Sequence, residues 1–179
     1  MADFNYALGK TLHWEGGYQK MAKDTGNYNS KGELVGTNLG ICAKVYESFI
    51  GHPPTEKEMR DIDIHTATRI YKTRFWDKMH GDQFKDNDVA ANVFDFYVNA
   101  GTWGIYHSKK AANMAGCTLK VSHSLSVSEV ASLNDLNQDS LFEAVKNHRL
   151  AYYNNLVKKK PQYSVFLKGW LNRANSFYK

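Results

Sequence analysis

The sequence predicts a mainly α-helical protein, and three observations carry that reading. The 179 residues contain only three prolines, Pro53, Pro54 and Pro161. The intervals between turn signals are long enough for helices rather than repeated short strands. Ser126 with Glu129, and Ser140 with Glu143, have the spacing of a capping box, in which side chain and backbone satisfy each other at a helix start.

Taken in order, a first helix is expected over residues 3–15, ending where Gly16-Gly17 withdraws support from the helical backbone. Residues 18–39 contain Gly26, Gly32 and Gly36 and read as a long loop or small β-hairpin, too long to be a mere connection. Helices are expected next over residues 42–50, 55–61, 64–79, 89–100 and 108–114. Two more start at Ser126 and Ser140, and a last one follows Pro161 and carries Phe166, Trp170 and Phe177. The length fits one compact domain.

Composition excludes several classes. Hydrophobic residues at 42%, with 11 Tyr, 9 Phe and 4 Trp, supply a core, which rules out wholesale disorder. No apolar run approaches the roughly 20 residues that span a bilayer, so no membrane insertion is expected. The start has Asp3 and Lys10 and lacks the apolar stretch of a signal peptide. Cys42 and Cys117 form no Cys-x-x-Cys pair and are expected as buried free thiols. The seven histidines show no ligand spacing, no phosphate-cradling glycine pattern occurs, and neither metal nor cofactor is expected.

The net charge of +5 hides an asymmetry. Glu143 is the last acidic residue, and from Ala144 onward Lys146, Arg149, Lys158, Lys159, Lys160, Lys168, Arg173 and Lys179 are all basic. Such a segment suits an anionic partner or, equally, a solvated helix face.

Projected at about 100° per residue, Phe4, Leu8, Thr11 and Leu12 fall in one arc of the first helix, and Glu15 falls near its middle. A carboxylate at that position meets partial desolvation and the negative end of the helix dipole, both of which act against its ionised form. A protonated carboxyl can give its proton to a leaving oxygen, as the general acid does in glycoside hydrolysis. The bland alternative is a glutamate that frays into solvent or pairs with a nearby lysine.

The helix over residues 89–100 is apolar around most of its circumference, and its polar residues Asp88, Asn92, Asp95 and Asn99 form one narrow stripe. Short Asp and Asn side chains suit a cleft wall or a buried polar network. Gly101, Trp103 and Gly104 follow, adding a flat ring of the kind that sugars stack on.

At these residues the sequence resembles glycoside hydrolase family 108, the lysozyme-like N-acetylmuramidases of bacteria and phages. The resemblance rests on Glu15-Gly16-Gly17-Tyr18, on Asp24 with Gly26, and on Thr37-Asn38-Leu39-Gly40-Ile41. It continues at Phe75-Trp76-Asp77 and Phe94-Asp95-Phe96-Tyr97-Val98-Asn99-Ala100-Gly101. It implies a lysozyme-like helical fold with a cleft between lobes and the catalytic Glu15 at the end of the first helix. It further implies cleavage of the β-1,4 bond between N-acetylmuramic acid and N-acetylglucosamine in peptidoglycan. Residues 1–104 would be the catalytic part and residues 105–179 a peptidoglycan-binding helical part packed on it, within a single domain. One departure is an insertion from Asn27 to Gly36, where the family has a short Asp-x-Gly-Gly-x-Thr stretch.

The expected catalytic set is therefore Glu15 with Asp24 and Thr37, either of the latter positioning a water on the opposite sugar face. Tyr18, Asp95, Asn99 and Trp103 are the expected substrate contacts, although Asp95 also suits a purely structural role. The expected partner is the peptidoglycan glycan strand, reached after lysis or dedicated export from the cytoplasm. A non-catalytic wall-binding protein with a degenerate cleft is the alternative. A nucleic-acid binder, suggested by aromatics within the basic C-terminal segment, is disfavoured because Phe166 and Trp170 sit at helical core spacing.

Overall fold

A computed structural model describes all 179 residues. The protein is mainly α-helical, with nine α-helices and one two-stranded β-hairpin. The chain divides into two compact units, one of residues 8–74 and one of residues 1–7 with 75–179. No helix is long and apolar enough to cross a membrane.

Helix α1 spans Phe4–Leu12. The Asp3 carboxylate caps its start by accepting from the Asn5 amide at 2.7 Å. The helix stops three residues earlier than its apolar periodicity suggests. Trp14 and Glu15 donate to the carbonyls of Thr11 and Leu12, so the last turn tightens to three-residue spacing and Glu15 lies just past the helix.

In the unit of residues 8–74, the loop after α1 is organised by hydrogen bonds. Gln19 and Thr37 exchange two backbone bonds of 2.9 Å, and Tyr28 bridges to Leu34. Strands β1 (Thr37–Asn38) and β2 (Ile41–Cys42) pair antiparallel, with Thr37 opposite Cys42 and Asn38 opposite Ile41. The intervening Leu39 and Gly40 both have positive φ, 47° and 72°, as a tight hairpin turn of this hand requires. Helices α2 (Ala43–Ile50), α3 (Glu56–Arg60) and α4 (Ile64–Tyr71) follow. Thr55 and Glu58 form a full capping box on α3. The buried amide of Asn38 donates to the carbonyls of Met59 and Arg60 at 3.0 Å, tying the hairpin to the end of α3. Beyond Tyr71 the expected long helix loosens into a π turn over Lys72–Trp76 and a 3-10 turn over Asp77–Met79.

In the other unit, Phe4, Trp76 and Phe94 pack as an aromatic cluster with centroids 5.6–6.1 Å apart. Helix α5 (Asn87–Ala100) is buried along most of its length, and Asp86 caps it by accepting from the amides of Asp88 and Val89. Helix α6 (Thr102–Met114) begins well before the expected Ser108. Gly101, at φ 60°, breaks the helical path, and a side chain at Gly104 would collide with the α5 backbone at Phe96, so the two helices touch closely. Helices α7 (Val127–Asn134), α8 (Gln138–Lys159) and α9 (Ser164–Asn175) complete the unit.

Ser126 and Glu129 cap α7 as expected, whereas α8 is capped by Asn137, which leaves Ser140 inside its first turn. Phe177 lies just beyond α9 and is buried. Helix α8 packs on α5, α6 and α9 around Phe96, Tyr153 and Ala174, with Leu150, Leu167, Trp170 and Leu171 against them. Both cysteines are free thiols, as expected, but partly exposed rather than buried.

Candidate functional site

In the unit of residues 8–74, Glu15 is partly exposed and its carboxylate rests against the Leu39-Gly40 turn, beside the Tyr71 hydroxyl. A Cβ at Gly40 would overlap both groups, so glycine is required there by space as well as by its positive φ. Tyr71 is buried, and its hydroxyl donates to the Leu39 carbonyl at 2.9 Å, which fixes the turn. Gly16 and Gly17 are exposed, with open space where side chains would stand. The result is a carboxylate seated on a rigid turn next to bare backbone.

Asp24 is exposed and caps a 3-10 turn, Thr25–Asn27, by accepting from the Gly26 amide at 2.9 Å. Its other oxygen accepts from the Gln19 amide at 3.2 Å. Gln19 also exchanges hydrogen bonds with the buried Asn27 side chain, and its backbone pairs with Thr37. Asp24 and Thr37 are thus brought together through Gln19, a residue that sequence reasoning missed. The Thr37 hydroxyl is buried and has no hydrogen-bond partner.

Tyr18 donates to the Val35 carbonyl at 2.9 Å, covers Gly36, and lies under the Arg60 guanidinium at 3.9 Å. Burial, then the neighbouring Glu56, pushes its phenol up. The expected sugar contact is therefore a ring already packed within the loop.

The remaining expected contacts lie in the other unit. Asp95 is fully buried and cannot touch a sugar, which corrects that expectation. Arg149 donates to it at 2.5 Å, and Arg173 donates three hydrogen bonds of 2.7–3.1 Å. Burial alone would raise its carboxyl, but the two guanidinium charges outweigh this and hold it below the usual carboxylate range. Asn99 accepts from the Tyr153 hydroxyl, which in turn accepts from Arg149. Tyr153 is pushed up by its burial. Of the stripe on α5, Asp95 and Asn99 thus belong to a polar network with α8 and α9 rather than to a cleft wall. Asn92, also on the stripe, is fully buried with no partner for its amide.

The basic C-terminal segment is correspondingly less available than its composition implies. Arg149 and Arg173 serve Asp95, and Lys179 pairs with Asp86 and Asp139. Trp103 is half exposed on α6, with its ring against Tyr106, His107 and His123 at 5.3, 6.1 and 4.6 Å. His107 and His148 share a 3.0 Å hydrogen bond. Burial, aided by His148, Lys110 and His123, pushes His107 down to about 4, and burial lowers His148 too.

The fold is mainly α-helical and lysozyme-like. The family described as Glycosyl hydrolase 108 matches residues 8–101, so the chain belongs to that family and is a peptidoglycan-related glycoside hydrolase. A second match, described as a Predicted Peptidoglycan domain, covers residues 126–175. Among solved structures the chain is similar to that titled "Structure of Brucella abortus SagA", with TM-score 0.78 and 23% identity over 97% of this chain and 90% of that one. That likeness supports the fold. No curated protein sequence matches the chain.

Proposed function

We propose that the protein hydrolyses the β-1,4 bond between N-acetylmuramic acid and N-acetylglucosamine in peptidoglycan, with Glu15 as general acid. The observation that carries this reading is the seat of Glu15, held against Gly40 and Tyr71 beside the open backbone of Gly16-Gly17. The Glu15 carboxyl gives its proton to the glycosidic oxygen as the bond to the anomeric carbon breaks. Water attacks that carbon from the opposite face.

Asp24, exposed and with lone pairs beyond those used by Gly26 and Gln19, takes the proton from this water, which gives inversion of configuration. Thr37 is a positioning residue in this scheme, acting through its backbone bonds to Gln19. Two carboxylates in different surroundings then divide the acid and base roles.

Glu15→Gln tests the assignment. The variant should remain folded by circular dichroism and release no reducing ends from purified peptidoglycan, and product NMR of the parent protein should show an inverted anomer. Release at the parental rate by Glu15→Gln defeats the proposal. A parent protein that binds labelled peptidoglycan yet frees no soluble fragments would be a wall-binding module instead.

A further inference from the structure

Three of the cations after Glu143 are committed inside the fold, Arg149 and Arg173 to Asp95, and Lys179 to Asp86 and Asp139. Lys158, Lys159, Lys160 and Lys168 are not. They are exposed, enter no ion pair, and lie where α8 ends and the 3-10 turn Pro161–Tyr163 leads into α9. No Asp or Glu follows Glu143, so this part of the sequence does nothing to offset their charge.

The same corner exposes apolar side chains. On the first turn of α9, Val165 is 77% exposed and Phe166 is 48% exposed. Projected at about 100° per residue, Val165, Lys168 and Gly169 share one outward arc, and a side chain at Gly169 would meet open space. Leu167, Trp170 and Leu171 instead pack on the core around Phe96, Tyr153 and Ala174. Phe166 lies at the border, its ring 5.7 Å from that of Trp170 and 6.5 Å from that of Tyr163. The Tyr163 ring in turn faces the Lys160 ammonium at 5.8 Å.

A single exposed valine is ordinary. Joined to an aromatic cluster and four unpaired lysines, it discriminates among anionic partners. The phosphates of a nucleic acid would meet the lysines and leave Val165 in water. A second copy of the chain would set lysines against lysines. An anionic bilayer satisfies both features, because its headgroups take the ammonium groups while the acyl boundary takes Val165 and Phe166. The long lysine stems let the charges stay at headgroup level as the apolar side chains sink, and the Tyr163 ring suits the same level.

We propose that this α8–α9 corner is a docking surface for anionic phospholipid bilayers, on which the protein lies without spanning the membrane. No helix is long and apolar enough to span it. The surface owes nothing to the reaction assigned to Glu15, and the two readings fail separately.

Flotation of the full-length protein with vesicles tests the proposal, using equal parts phosphatidylglycerol and phosphatidylcholine against phosphatidylcholine alone. The protein should bind the anionic vesicles at least about ten-fold more tightly, since each lysine near such a surface is worth on the order of five-fold. Added salt should shrink that difference. The variant Lys159→Gln/Lys160→Gln/Lys168→Gln, with every change at an exposed position, should lose at least about ten-fold in binding and keep its melting temperature. Val165→Ser should lose roughly five-fold toward vesicles and nothing toward oligothymidylate, while Val165→Leu should bind vesicles at least as well as the parent.

Equal binding to neutral and anionic vesicles overturns the proposal. Parental binding by Val165→Ser, or weaker binding by Val165→Leu, overturns it as well, because charge alone would then explain the adsorption. Tighter binding of oligothymidylate than of anionic vesicles would overturn it in favour of nucleic acid.

Discussion

Replacing Asp95 by asparagine tests the buried network that joins α5, α8 and α9. The parent carboxylate accepts four hydrogen bonds from Arg149 and Arg173, and its side chain and that of Arg149 are completely buried. The substituted carboxamide would keep one oxygen, turn an NH2 group toward two guanidinium groups, and remove the negative charge that faces them. Arg149 would retain the Tyr153 hydroxyl at 3.2 Å and the faces of Phe96, Tyr153 and Phe177 at 5.3–5.7 Å, while its Nη1 already lacks a partner. Removing one partner of a buried pair costs about 3–5 kcal/mol. For a chain of this size that lowers the melting temperature by about 6–20 °C.

Urea unfolding followed by circular dichroism, with scanning calorimetry, reads the effect. A loss below about 1 kcal/mol would refute the claim that Asp95 compensates these two charges. Adding Arg149→Met to Asp95→Asn should recover part of the loss, because one uncompensated charge then disappears. The pH dependence has a definite sign. The folded carboxyl lies below its unfolded value of about 3.9, so its contribution is complete above that pH and is lost as pH falls through the folded value.

Two other outcomes are expected. Gly40→Ala places a methyl group against Glu15 and Tyr71 in a left-handed backbone, so peptidoglycan hydrolysis should fall at least about a hundred-fold with a stability loss of about 1–3 kcal/mol, and parental rates would show that the Glu15 seat is not needed. His107 should stay neutral down to about pH 4 in an NMR titration, and because the unfolded imidazole protonates near 6.5, its contribution to stability should decline as pH drops from about 6.5 toward 4. Ordinary imidazole titration near 6.5 would contradict the buried pairing with His148.

The helices were legible in the sequence wherever their signals are local. The capping box at Ser126 and the run of apolar residues on α5 each act within about one turn, and the expected elements formed there, whereas α1 stops three residues before the glycine pair that was expected to end it. Errors arose where a second local signal competed. Ser140 has capping-box spacing, but Asn137, three residues earlier, captures the Ser140 amide and starts α8 sooner. Glu15 was visible as an acidic residue on an apolar arc. Its neighbours Gly40 and Tyr71 were not, because the hairpin turn and α4 meet it only after the loop has closed on Gln19.

Asp95 shows the same limit from the opposite side. On α5 it suits a structural role more than a functional one, though a sugar contact stays open, and the eight basic residues after Glu143 suit an anionic partner or, equally, a solvated helix face. Arg149 and Arg173 stand 54 and 78 residues away, and packing of α8 and α9 delivers both to one carboxylate. Hydrophobic periodicity and capping specify helices because their forces act between residues a turn apart. The partner of a buried charge is set by which helices come together, and that choice alone turned two of the cations into core ligands.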